Sequence, residues 1–279
     1  MLTLPVRTLG EGDRAAVERV LDRDPIAAAQ VAERVHARGP GRWSAVGTLL
    51  GYGAGKQLDA VCWVGTGLIP VQAAPVSVAA FAELLADRPQ DCSSILGPAD
   101  AVLGLWQRLG ERWGPAREVR PVQPLLLADA PPAVWADPGV RRVRPDEIDL
   151  LYPAAVAMYA EEVGISPTAE DGGRCYRRRV TELVRHRRAY ARIVAGRVVF
   201  KAEVAVVTRH TAQVQGVWVA PQWRGQGVAT AGVAGVVRDV LRTVAPSVSL
   251  YVNDYNHAAR RVYARCGFRQ VGTFATVLF

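Results

Sequence analysis

The sequence predicts an α/β (α+β) fold built twice in tandem. Three observations carry that expectation. Strands and helices recur in a similar order in both halves, a proline-rich stretch separates them, and 279 residues leave room for two domains. Each would have about 140 residues, enough to bury a core. Half of the residues are hydrophobic (50%), so two cores can be filled.

In the first half the elements follow from runs of strand-forming residues alternating with apolar residues at helical spacing. A first strand precedes helices over Gly12–Asp22 and Ile26–Ala37. Strands follow around Ser44–Gly51, Leu58–Val64 and Leu68–Gln72. A helix (Val76–Ala86), a strand (Ser94–Leu96), a helix (Ala101–Trp113) and a strand (Val122–Leu127) complete the half. The run DAPPAVWADPGV, Asp129 to Val140, is rich in proline and reads as a linker. A comparable order begins at Val140, so the predicted bounds are 1–130, 131–139 for the linker, and 140–279.

The chemistry is concentrated near the C-terminal end. Val217, Trp218 and Val219 are β-branched and aromatic, as a buried strand prefers, and Pro221 ends the ladder because it has no N–H. Arg224-Gly225-Gln226-Gly227 supplies two residues without Cβ, so the backbone can curl around an anion. Val228, Ala229 and Thr230 open a helix whose apolar positions 229, 233, 236, 237, 240 and 241 share one face. Its unpaired first amides and positive dipole end point into the turn, and Arg224 adds a full charge. This is an anion cradle suited to phosphates. No Gly-Lys-Ser/Thr is present, the chain has only two lysines (Lys56 and Lys201), and the turn is not a complete GxGxxG.

A second run, VNDYNHAARRVYARCGF, follows from Val252 to Phe268. Leu250–Val252 reads as a strand, Asn256 as a helix N-cap, and Gly267 as the left-handed residue that ends the helix. Ala259 and Tyr263 are four apart and share a face, so a ligand can pass the alanine and reach the phenol.

Together the runs resemble the GNAT superfamily of acyl-CoA-dependent N-acyltransferases. Arg224, Gly227 and Ala229 fill its (Arg/Gln)-x-x-Gly-x-(Gly/Ala) motif. Asn256, Ala259, Tyr263, Gly267 and Phe268 match its Asn-x-x-Ala-x-x-x-Tyr-x-x-x-Gly-Phe pattern. The tandem layout and the runs FKAEV, QVQGVWVAP and SLYVNDYN resemble an actinobacterial group in which a DUF4081 domain precedes the acetyltransferase domain. The resemblance implies two GNAT-like domains, each a mixed, mainly antiparallel sheet flanked by helices. It also implies acetyl-CoA as co-substrate, held by residues 217–219 and 224–230 with Asn256 and Ala259, and no metal. The pantetheine arm would lie along the Val217–Val219 strand, where that strand splays from Leu250–Val252. An amine would attack the thioester directly, a backbone N–H of Val217–Val219 would stabilise the oxyanion, and Tyr263 would protonate the thiolate.

The general base is open. Several relatives carry a glutamate on the strand before the turn, where this chain has Gln213 and Gln215. Glu161 and Glu162, in MYAEEVG, and Glu203 are the candidate carboxylates, each also readable as a solvated charge or an ion-pair partner. The N-terminal half reads as a degenerate copy. AAPVSVAAF has neither arginine nor glycine for an anion turn, and Trp106 falls where Tyr263 stands. That half would close one side of the acceptor site, continue the sheet, or mediate homodimerisation.

The remaining composition narrows the partners. No stretch approaches the ~18 uninterrupted apolar residues of a membrane span, and MLTLPVRTLGEGDR lacks the form of a signal peptide. Cys62, Cys92, Cys175 and Cys266 are scattered without metal spacing, which points to reduced thiols and a cytoplasmic protein. The net charge of +8 draws attention to the arginine-rich run Arg174–Arg192. Its arginines spread over several faces with few interleaved aromatics, which argues against nucleic acid. The expected acceptor is a small-molecule or protein amine. A non-catalytic acyl-CoA sensor or interaction module is the alternative.

Overall fold

The computed structural model describes residues 6–36, 47–169 and 171–279. Ala37 and Ser44 to Val46, which the sequence places in a helix and a strand, lie outside the described residues, as does the N-terminal run Met1 to Pro5. The chain forms two compact units. One reaches to Leu125 and includes Tyr251–Tyr255 and Gln270–Phe279; the other comprises Leu126–Leu250 and Asn256–Arg269. The units are therefore not simply the two halves of the sequence.

The first unit carries β1 (Val6–Thr8), α1 (Arg14–Leu21), α2 (Ala29–His36), β2 (Gly47–Ala54), β3 (Gln57–Gly65) and β4 (Gly67–Val71). It continues through α3 (Pro75–Ala86), β5 (Ser94–Pro98), α4 (Ala99–Trp113) and most of β6 (Glu118–Ala128). The second unit carries β7 (Val140–Arg142), α5 (Ile148–Val163), α6 (Arg174–Arg185), β8 (Ala189–Val194), β9 (Arg197–Val207) and β10 (Ala212–Val219). Then come α7 (Val228–Thr243), β11 (Val248–Tyr251) and α8 (His257–Arg265), and the chain ends in β12 (Arg269–Leu278), which belongs to the first unit from Gln270 on.

In the first unit the strand order is β1-β2-β3-β4-β5-β12-β6. β12, the last strand of the chain, pairs antiparallel with β5 from Phe274↔Pro98 to Leu278↔Ser94. β4 and β5 run parallel, at Gly67↔Ser94 and Leu68↔Ile95. One core cluster joins α1 and α2 to Leu49, Leu58, Val61 and Trp63. A second packs Phe81, Leu85, Val102, Leu105 and Leu109 of α3 and α4 on Leu50, Cys62, Ile95, Ala275 and Val277.

Two helix starts differ from the sequence expectation for local reasons. The helix expected from Gly12 opens with a 3-10 turn at Glu11–Asp13, because the Asp13 carboxylate takes the Gly10 N–H at 3.0 Å and the Arg7 guanidinium at 2.6 Å. The helix expected from Ile26 begins at Ala29, because Asp24 first closes a turn: its Oδ1 accepts from Ala27 N–H and its carbonyl from Ala28 N–H, each at 3.0 Å.

The second unit has the order β11-β10-β9-β8-β7, antiparallel except for β10 and β11. α5 and α6 bury Leu151, Ala155, Tyr176, Val180 and Val184 against Ala189, Ala191 and Val198. α7 approaches β9 closely: a Cβ on Gly232 would stand 2.6 Å from the Phe200 ring. Only glycine permits that spacing without repacking. The expected linker is tied down here. Arg238 donates to the Pro132 and Val134 carbonyls, and buried Asp137 pairs with Arg192 at 2.9 Å.

Each unit is thus a mixed, mainly antiparallel sheet flanked by helices, and the order strand, strand, strand, helix, strand, helix occurs in both. Among the described residues no helix is long and apolar enough to cross a membrane.

Candidate functional site

The turn after β10 is open to an anion. A 3-10 turn at Pro221–Trp223 leads into Arg224, and Gly225 (φ +76°) and Gly227 (φ +79°) both take left-handed conformations. A Cβ at either glycine would meet nothing within 4 Å, so their cost to other residues is conformational, not steric crowding. Gly227 is the N-cap of α7 and offers no side chain to its amides. The first intrahelical bond runs from Ala231 N–H to Gly227 O at 3.1 Å. Among the described residues, the amides of Val228, Ala229 and Thr230 therefore stand at the positive end of a sixteen-residue helix without partners.

β10 leads to this turn and departs from its neighbours on both sides. Its parallel ladder with β11 covers Ala212↔Val248 and Gln213↔Ser249 and goes no further. Against β9 its register slips between Gln215↔Glu203 and Trp218↔Lys201, so Gln215 to Trp218 on one strand faces only Glu203 to Lys201 on the other. Gly216 sits in that bulge with φ +57°. Bulges re-aim backbone groups and mark functional edges. Gly216 to Trp218 are half-buried and Gln215 is exposed, so this stretch borders open space.

Beneath the bulge lies a buried ionic cluster. Lys201 and Glu203 are two apart on β9 and share a face; Nζ and Oε1 are 2.7 Å apart. Arg179 of α6 donates to the other Glu203 oxygen at 3.0 Å, and a Cβ on Gly216 would lie 3.2 Å from Lys201 Nζ. Burial alone would raise the Glu203 pKa, but Lys201 and Arg179 outweigh it and hold the carboxyl low. Burial lowers the Lys201 pKa, and the Glu203 charge works against it. Glu203, a candidate base from the sequence, is thus placed as the anion of an ion-paired triad.

Tyr263 is fixed by the end of α8. Asn256 caps the start, its Oδ1 accepting from Ala259 N–H at 3.1 Å. At the other end Phe268 N–H bonds to Tyr263 O and Gly267 N–H to Ala264 O, both at 3.1 Å, with Gly267 at φ +84°. That is a Schellman ending, and its usual apolar contact is made by Tyr263 itself, whose ring lies edge-on to Phe268 at 5.7 Å. The phenol is buried, and among the described residues its hydroxyl has no hydrogen-bond partner. Burial, then the charge of Glu162, then Cys266 push its pKa well above the ordinary value. Cys266 is itself raised to about 11 by burial, its Sγ 3.4 Å from the Thr230 carbonyl.

The two carboxylates that end α5 diverge. The Glu161 carboxylate accepts from Arg224 Nη2 at 2.7 Å and from Trp218 Nε1 at 3.1 Å. It belongs to the anion turn. Glu162, exposed, lies within electrostatic reach of Tyr263, Lys201 and Tyr176. In the sequence Glu161 and Glu162 look alike, and nothing local marks Lys201 and Arg179, whose partners depend on strand register and helix placement.

The arginine-rich run is largely committed. Arg177 pairs with Asp149, Arg179 with Glu203, Arg185 with Glu182 and Arg192 with Asp137, and Arg188 reaches the Ala205 carbonyl. Among the described residues no three His, Cys, Asp or Glu groups gather as a metal site would need.

The corresponding stretch of the first unit is built differently. α3 starts at Pro75, behind an Ala74 N-cap, with no arginine or glycine in the turn. A Cβ on Gly97 of β5 would lie 3.3 Å from the Pro70 carbonyl of β4, so these strands stay close. Trp106 packs edge-on to Phe279 at 5.6 Å.

Comparison with known proteins fits both halves. Residues 47–151 match the model of a domain of unknown function, DUF4081, and residues 168–268 match that of the acetyltransferase (GNAT) family. No curated protein matches. Among solved structures, a GCN5-related N-acetyltransferase from Sphaerobacter thermophilus is similar at TM-score 0.56 and 20% identity, covering 99% of this chain and 96% of that one. A GNAT-family acetyltransferase from Colwellia psychrerythraea gives 0.55 and 14%, covering 98% and 99%. A tandem GNAT protein from the clavulanic acid biosynthesis pathway gives 0.52 and 17%, covering 97% of each. At these identities the likeness shows the fold. The chain carries a DUF4081 domain followed by an acetyltransferase domain of the GNAT family, in a tandem GNAT-like fold.

Proposed function

We propose that the second unit transfers an acetyl group from acetyl-CoA to a primary amine of a small molecule or protein. The observation that carries this reading is the set of open amides at Val228, Ala229 and Thr230, at the end of a strand whose ladder to β11 stops at Gln213. The amides and Gly225–Gly227 would receive the pyrophosphate, and the β10 edge from Val217 to Val219 the pantetheine, with Asn256 and Ala259 beside it.

The amine nitrogen attacks the thioester carbon and the carbonyl oxygen becomes an oxyanion, which a backbone N–H of the bulged Val217–Val219 segment stabilises. The C–S bond then breaks. The buried, protonated Tyr263 phenol gives its proton to the thiolate, and the proton shed by the amine nitrogen restores the phenol or leaves through Glu162 and water. Glu162 also lowers the potential felt by an incoming ammonium. Tyr263 carries its proton at neutral pH as any phenol does, and burial holds that proton more firmly still, so the transfer awaits a strongly basic thiolate.

A second reading, an acyl-CoA sensor without turnover, draws support from Gln213 and Gln215, which cannot accept a proton where several relatives carry a carboxylate. Free CoA release measured against a panel of amines separates the two. Amine-dependent release supports transfer. Acetyl-CoA binding with release no faster than hydrolysis, for every amine, overturns it.

A further inference from the structure

We propose that Glu161 is a built-in counter-anion of the donor turn, holding Arg224 until a diphosphate displaces it; this rests on the donor reading above. Arg224 is fixed at two points. Its Nε donates to the Val219 carbonyl at 3.0 Å, which anchors the guanidinium to the end of β10, and Nη2 is left to meet the Glu161 carboxylate at 2.7 Å. The second Glu161 oxygen takes the Trp218 indole N–H at 3.1 Å. A carboxylate thus sits on the guanidinium of the very turn whose open amides call for an anion. Arg224 and Glu161 have side chains 48% and 47% exposed, so the pair is solvated and gives way easily. A diphosphate carries more charge than a carboxylate and also satisfies the α7 amides, which Glu161 does not reach. The exchange keeps Arg224 neutralised in both states and sets donor affinity below what the turn alone would give. Trp218 and the end of α5 lose their clasp when the donor enters, and this ties occupancy of the turn to the helix that bears Glu162. Glu161 is therefore a positioning residue acting through Arg224, not the base.

Calorimetric titration of the intact protein with CoA tests this, with Glu162→Gln as a control for removing the same charge one residue away. Glu161→Gln is expected to tighten CoA binding about two- to fivefold, the range of a solvated ion pair. Glu162→Gln is expected to gain less, and the Glu161→Gln gain is expected to vanish in an Arg224→Gln background. Equal or weaker binding by Glu161→Gln overturns the proposal, as does an equal gain from Glu162→Gln or a gain that survives without Arg224. If the unaltered protein binds CoA and only the Glu161 effect is missing, the donor reading stands and this inference falls. If the unaltered protein does not bind CoA, both fall.

Discussion

Lys201 and Glu203 lie side by side on β9, fully withdrawn from water, with Nζ and Oε1 2.7 Å apart under the Gly216 bulge. Such a pair repays its desolvation only while both partners remain. Lys201→Met leaves Glu203 with Arg179 and the long Gln215 amide contact at 3.5 Å, and is expected to cost about 3–5 kcal/mol in urea unfolding. Lys201→Met/Glu203→Gln should recover part of that loss, because no lone buried charge remains. A double variant no more stable than the single one would show that the site depends on packing instead of charge pairing.

Gly216 has φ +57°, and a Cβ there would approach Met158 Cε to 3.0 Å as well as Lys201. Gly216→Ala combines left-handed strain with crowding at the bulge, so a loss of about 1–3 kcal/mol in thermal unfolding is expected. If β10 presents the oxyanion donor, turnover should fall more than acetyl-CoA affinity. Parallel loss of both would separate the bulge from the oxyanion.

The local half of the site was legible in the sequence. Asn256 and Gly267 had to bracket α8 because N-caps and left-handed endings demand those residue types, and Gly225 and Gly227 announced their turn for the same reason. What stayed hidden depends on partners far along the chain. The β9–β10 slip that stacks Gly216 on Lys201, and the arrival of Arg179 from α6, leave no local pattern. Glu161 and Glu162 look identical in sequence, yet α5 ends so that one meets Arg224 and the other senses Tyr263. The last strand, β12, joins the first unit for a like reason: alternation marks a strand but does not name its neighbour.

Acid stability has an identifiable source in Glu147. The Arg141 guanidinium, at 2.6 Å, and the Arg144 N–H hold its carboxyl down at about 2. A carboxyl depressed in the folded state stabilises above its unfolded pKa, near 4.5, and that contribution is lost as pH falls through the folded value. The window is therefore about pH 4.5 down to 2. Its size is about 1–2 kcal/mol after allowing for the exposure of both arginines. Glu147→Gln should flatten this limb in denaturation at stepped pH. An unchanged limb would assign the acid sensitivity elsewhere, Asp13 with Arg7 being the next such pair.

Tyr263 offers the sharpest test of the chemistry. Its ring is buried and packed edge-on to Phe268, a contact that phenylalanine keeps, so Tyr263→Phe removes only the hydroxyl. Stability and CoA affinity should be nearly unchanged, while kcat should drop about 10²–10⁴-fold, the usual worth of a general acid. Because burial lifts the phenol above its ordinary value, the unaltered protein should keep its rate up to about pH 10, the unperturbed value for tyrosine, without a falling limb from Tyr263. A rise in rate near neutral pH would instead report the acceptor amine losing its proton. Glu162→Gln should move that rise to lower pH, because the ammonium loses a nearby negative charge, and should also lower the plateau rate if Glu162 receives the proton but leave the plateau in place if water does. Full turnover by Tyr263→Phe would take the phenol out of the mechanism.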